Sequence, residues 1–121
     1  MPHIVVEYSA DVGLDVTELI QALHSAAAST GVMQAADIKV RALPYADYLV
    51  AGQRDSFCHV SVYLLEGRTP EQKLTLSEAL RTAMVALLPG TKSLSVDIRD
   101  MDPSAYKKRL NVGLPAERRP R

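Results

Sequence analysis

Along residues 57–65, Cys58, Val60, Val62 and Leu64 alternate with Phe57, His59, Ser61 and Tyr63. Along 93–99, Leu94, Val96 and Ile98 alternate with polar neighbours. Period-two alternation of this kind is that of a strand with one buried face. The apolar run His3-Ile4-Val5-Val6-Glu7-Tyr8 predicts a strand over 2–8, and another is expected over about 37–45. Two stripes of helical period lie between these strands. Leu19, Ile20, Leu23, Ala26 and Ala27 predict a helix over 15–29, with Asp15 as N-cap and Gly31 as its stop. Leu76, Ala79, Leu80, Ala83 and Leu87 predict a second, closed by Pro89-Gly90. Its start is the better marked: Thr69 caps, Pro70 suits the first helical position, and Gln72 completes a capping box. Asp102-Pro103 predicts one short helical turn at the end.

The order is β-α-β, a loop over 46–56, and β-α-β again. A helix between two strands implies a crossover and a parallel pair within each unit. The expected fold is therefore α+β, built from α/β-type repeats over 2–45 and 57–100. It is a four-stranded mixed sheet with two helices on one face. The polar and aromatic side of 57–65 is left uncovered, and self-association with sheets facing inward would cover it.

Length and composition agree with a single domain over 1–110, since 121 residues suffice for a core without disulfide or metal staples. Acidic and basic residues balance, 14 against 14, which argues against a global attraction to nucleic acid. Lys107, Lys108, Arg109, Arg118, Arg119 and Arg121 crowd the end, and 111–121 is expected to be a basic, flexible tail. Cys58 is the single cysteine, so neither an intrachain disulfide nor a cysteine-based zinc site is expected. His3, His24 and His59 lack metal-ligand spacing. No signal peptide or membrane-length apolar run is visible, and a soluble, cytoplasmic protein with no membrane partner is expected.

The candidate chemistry begins at Pro2. Removal of Met1 would leave a prolyl secondary amine at the head of a strand, and an α-amino group titrates at about pH 8. Nearby cations would favour its uncharged, basic form. Strand period puts Lys39 and Arg41 on one face of the sheet. The same spacing also suits a solvated pair on an edge strand. Arg68 stands in Glu66-Gly67-Arg68-Thr69, where a strand gives way to a helix N-terminus; this arrangement favours a carboxylate, and it equally describes an exposed loop arginine. A neutral base at one end of a pocket and cations at the other suit proton abstraction next to a carbonyl or enol and its redelivery. That chemistry requires no metal or redox cofactor.

These residues resemble a known family. Pro2 at the start of a strand, the doubled β-α-β unit, Asp37-Ile38-Lys39-Val40-Arg41-Ala42, and Glu66-Gly67-Arg68-Thr69-Pro70-Glu71-Gln72-Lys73 are similar to the 5-carboxymethyl-2-hydroxymuconate Δ-isomerases of the tautomerase superfamily, over about 2–110. The resemblance implies a homotrimer with its sheets in an inner barrel and a step in homoprotocatechuate degradation. In that step an unsaturated enol polycarboxylate becomes its conjugated keto form. It assigns Pro2 as proton carrier and Lys39, Arg41 and Arg68 as substrate-binding residues. Some members carry Ile-Arg-x-Arg where this chain has Ile38-Lys39-Val40-Arg41. Lysine keeps the charge but loses the planar fork. Two other readings stay open: a tautomerase for another 2-hydroxydienoate or aryl α-keto acid, and a non-catalytic ferredoxin-like ligand-binding module.

Overall fold

The structure is a computed structural model, and it describes residues 2–11 and 13–111. The elements run β1 (His3–Ser9), α1 (Val16–Ser29), β2 (Lys39–Tyr45), β3 (Phe57–Leu65), α2 (Pro70–Leu87) and β4 (Ser93–Met101). The four strands form one sheet in the order β2-β1-β3-β4. β1 is parallel to β2, β3 is parallel to β4, and the two pairs meet where β1 runs antiparallel to β3. Each β-α-β unit thus supplies one parallel pair, and the two helices lie side by side on the same face.

Local chemistry explains the helix boundaries. The Asp15 carboxylate accepts from the Glu18 backbone N–H at 3.1 Å. At α2 the capping box closes in both directions, with Thr69 Oγ1 accepting from Gln72 N–H at 3.1 Å and Gln72 Oε1 accepting from Thr69 N–H at 2.9 Å. Such a cap is worth about 1 kcal/mol. Gly31 follows the Thr30 C-cap with φ of +75°, where a side chain would strain the backbone.

Strand alternation decides the two faces of the sheet. Ile4, Val6, Cys58, Val60, Val62 and Leu64 point into the core and are fully or almost fully buried. They pack against Leu19, Leu23 and Ala27 of α1 and Leu76, Leu80 and Met84 of α2. Fully burying each such side chain contributes about 1.5–3 kcal/mol. The register places His3, Val5, Lys39, Arg41, His59, Tyr63, Asp97 and Arg99 on the other face, which neither helix covers.

Three details differ from the sequence reading. Residues 35–37 form a 3-10 turn, so the second strand begins at Lys39; His24 Nε2 donates to Ala35 O at 2.9 Å and ties this turn to α1. The buried stripe of α2 is Leu76-Leu80-Met84, spaced four apart, with Ala83 and Leu87 packed at its flank. Ile20 stands outside the core and borders a groove between α1 and β2. After β4, Asp102 caps a single turn: its carboxylate accepts from Ser104 N–H at 2.9 Å, and its carbonyl from Tyr106 N–H at 2.9 Å. The basic tail lies outside the described residues, apart from Asn111, as does Met1.

Candidate active site

The antiparallel pairing of β1 with β3 sets His3 opposite Tyr63, so the head of β1 meets the closing residues of β3. The parallel pairing of β1 with β2 sets Lys39 beside His3 and Arg41 beside Val5. Four strand termini therefore converge at one end of the sheet: the starts of β1 and β2 and the ends of β3 and β4.

Pro2 stands at this end. It is buried, and its carbonyl accepts from Lys39 N–H at 3.0 Å, which binds the head of β1 to the first rung of β2. The side chains of Lys39 and Arg41 share the uncovered face, as strand period predicts. Arg68 reaches the same end by a different route. Gly67, at φ of +124°, turns the chain out of β3, and Arg68 then donates from Nη1 to Leu65 O at 3.2 Å and from Nη2 to Val32 O at 3.4 Å. Its guanidinium bridges the end of β3 to the connection between α1 and β2. Two of its five donors go to that bridge, and three N–H groups remain.

Arg41 borders an open pocket of about 270 Å³ on the uncovered face, shared with His3, Tyr63, Met101 and Tyr106. One histidine organises its polar side. Arg41 Nη1 lies 3.1 Å from His3 Nδ1, and Tyr106 Oη lies 3.0 Å from His3 Nε2. A guanidinium only donates, so Nδ1 must be the acceptor and Nε2 carries the hydrogen that Tyr106 accepts. The tyrosine ring meets the imidazole edge-on, with centroids 5.9 Å apart. The His3 pKa lies below its ordinary value, first through desolvation and then through the charges of Arg41, Lys39 and the amino terminus. An Nδ1 that accepts from a guanidinium carries no proton, and these effects likewise favour the neutral imidazole.

The pocket combines one orientable cation with two aromatic rings and a thioether, and no carboxylate lines it. Such a lining offers a guanidinium to an anion and two rings and a thioether to a flat, apolar frame. The opposite end of the sheet differs in kind. A cleft of about 460 Å³ there is bordered by Asp11, Arg54, Ser56 and residues 87–91. Its Arg54 is committed to Asp11 at 3.9 Å, to Ala46 O at 3.0 Å and to the Tyr48 ring at 4.6 Å. Among the described residues, no group of three or more His, Cys, Asp or Glu side chains is placed to hold a metal ion.

Sequence reasoning named Pro2, Lys39, Arg41 and Arg68, and said of His3 only that it lacks metal-ligand spacing. Tyr63 was visible in the alternation as a residue of the uncovered face. Tyr106 and Met101 carried no signal, because the turn capped by Asp102 brings the tyrosine back over the sheet.

The model of the family described as 5-carboxymethyl-2-hydroxymuconate isomerase matches residues 2–113. The chain belongs to this family. It is accordingly an isomerase of the tautomerase superfamily. The crystal structure of a 5-carboxymethyl-2-hydroxymuconate isomerase from Deinococcus radiodurans R1 superposes with a TM-score of 0.81 at 22% identity, covering 91% of this chain and 90% of that one. A fused 4-OT wild-type symmetric trimer gives 0.77 at 28% identity, over 95% and 96% of the two chains. A malonate semialdehyde decarboxylase inhibited by 3-bromopropiolate gives 0.70 at 19% identity, over 89% of each. No curated protein matches the chain by sequence. The decarboxylase shares the fold while its name states another reaction, so the fold alone does not select the chemistry of this isomerase.

Proposed function

We propose that this isomerase ketonises an unsaturated enol polycarboxylate, 5-carboxymethyl-2-hydroxymuconate or a close relative, with the Pro2 amine as proton carrier. The observation that carries the reading is the cationic, carboxylate-free pocket formed by Arg41, His3, Tyr63, Met101 and Tyr106 at the end of the sheet where β1 begins. Once Met1 is removed, the Pro2 nitrogen is a secondary amine. Lys39 and Arg41 beside β1 favour its uncharged form.

The step balances without a co-reactant. The amine takes the enol hydroxyl's proton, the oxygen's electron pair becomes the carbonyl and pushes through the diene, and the prolinium returns the proton to a carbon at the far end. Arg41, with Lys39 and the free N–H groups of Arg68, holds the carboxylates and opposes the negative charge that spreads over the conjugated system. Proton transfer by a positioned group contributes about 10²–10⁴-fold. Ketonisation followed in the ultraviolet on the demethionylated chain, across pH, tests the reading. A rising limb below neutrality reports the base, and no turnover at any pH removes it.

The uncovered sheet face supports a homotrimer with sheets turned inward, by analogy with the symmetric trimer above. Light scattering should give three times the 13.2 kDa chain mass. Among the described residues, no helix is long and apolar enough to cross a membrane. The proposed substrate would place the enzyme in homoprotocatechuate degradation, a cytoplasmic role.

One observation favours a second reading. Tyr63, Tyr106 and Met101 give the pocket more apolar wall than a small polyacid requires. An aryl α-keto acid such as phenylpyruvate would use it. Faster turnover of phenylpyruvate or 2-hydroxymuconate than of the carboxymethyl compound would select that reading.

A further inference from the structure

Arg41 is exposed on the edge strand β2, and a free arginine there would sample many rotamers. Ordering such a side chain costs up to about 2 kcal/mol. Proteins commonly hold an arginine with a carboxylate. Among the described residues the ion pairs are Arg54–Asp11, Lys73–Asp100 and Arg99–Asp97, and none includes Arg41. The atom given to its guanidinium is instead the ring nitrogen Nδ1 of His3.

We propose that His3 is a positioning residue for Arg41 and that Tyr106 fixes His3, so that the clamp is aimed by a neutral partner. The physical advantage lies in the charge. A carboxylate partner would orient the guanidinium but neutralise it, and a substrate carboxylate would then have to compete. A neutral imidazole supplies the acceptor and leaves the full positive charge for the anion in the pocket. Tyr106 accepts at Nε2 and so locks the tautomer that leaves Nδ1 free. The groups around His3 agree with this state: Lys39 and Arg41 on β2, Tyr63 on β3 and Tyr106 after β4 include no anion that would favour imidazolium. The arrangement orders Arg41 before substrate arrives, which lowers the cost of binding.

The inference rests on the proposed role of Arg41, and the test separates the two. With demethionylated full-length protein and a dienol dicarboxylate as substrate, His3→Leu should raise KM about tenfold while kcat stays within about threefold, as expected for one lost hydrogen bond. His3→Asn, whose amide oxygen can take the place of Nδ1, should return KM to within about threefold of the parent. A parental KM in His3→Leu, or His3→Asn as impaired as His3→Leu, overturns the proposal. If the parent turns over no dienol, the proposed function fails, and the imidazole itself still reports. Nitrogen-15 NMR should show His3 as the Nε2–H tautomer, and Arg41→Met should move its titration up toward the ordinary value of about 6.5. A proton on Nδ1, or a titration indifferent to Arg41→Met, overturns the positioning role independently of turnover.

Discussion

The two faces of the sheet are made from the same four strands and differ residue by residue. Ile4 and Val6 face the helices, whereas His3, Val5 and Glu7 between and beside them face away. The covered face is largely aliphatic apart from Tyr8 and Cys58, and the Cys58 thiol is pushed up to about 11 by desolvation. The uncovered face carries cations, histidines, tyrosines and carboxylates, including the Tyr45 hydroxyl donating to Glu7 and His59 paired with Ser95 at 2.6 Å. One face holds the fold together, and the other is free to carry chemistry. Stability and activity should therefore respond to different sets of substitutions a single residue apart.

The largest effect should come from Pro2→Ala in demethionylated protein. Turnover is expected to fall about 10²–10⁴-fold, the range for a positioned proton-transfer group, with the melting temperature unchanged. Unchanged turnover would remove proline from the mechanism. On the covered face, Leu80→Ala leaves a cavity beneath fully buried neighbours and should cost about 2–5 kcal/mol in urea unfolding. If it costs under about 1 kcal/mol, the site collapses and the contrast between faces is weaker than the packing implies.

Arg41→Lys should be smaller, raising KM for a dicarboxylate about tenfold through loss of the planar fork, while the unfolding midpoint stays put. A shifted midpoint would make Arg41 part of the scaffold. Cys58 gives a finer contrast. Its buried, raised-pKa thiol should resist iodoacetamide at neutral pH until the protein unfolds, and rapid native labelling would show the covered face to be open.

The smallest effect is a pH dependence of stability from His3. Its folded pKa is lowered, so the unfolded chain binds the proton more tightly. The contribution is complete above the unfolded value of about 6.5 and is lost as pH falls through that value and on through the lower folded one. Asp11, held down by the Tyr48 hydroxyl, and Asp102, held down by Ser104, act in the more acidic carboxylate window. Thermal melts across mildly acid pH should show a shallow slope that His3→Asn removes. A slope that survives the substitution assigns it to another group.

Much of the fold was legible because each signal was local. Alternation over 57–65 coincided with β3, and Thr69-Pro70-Gln72 placed the start of α2 to the residue. The 3-10 turn at 35–37 was missed because it depends on His24 reaching across from α1. Met84 was missed because methionine at a stripe's edge is ambiguous until the partner surface is known. That Lys39 and Arg41 share a face was legible by period, and that face is the uncovered side of the sheet. The engagement of Arg68 with two carbonyls was not, since its partner Val32 lies 36 residues away.

By itself the sequence determined what short-range physics encodes: which residues alternate, where helices start, and that Pro2 heads the first strand. Tertiary structure alone decided which side of each strand is covered, because that depends on where both helices settle. It also decided that His3, Arg41 and Tyr106, separated by as many as 103 residues, share one hydrogen-bonded chain. The register between β1 and β2 and the returning turn after β4 bring them together, and neither is written in the spacing of the residues concerned.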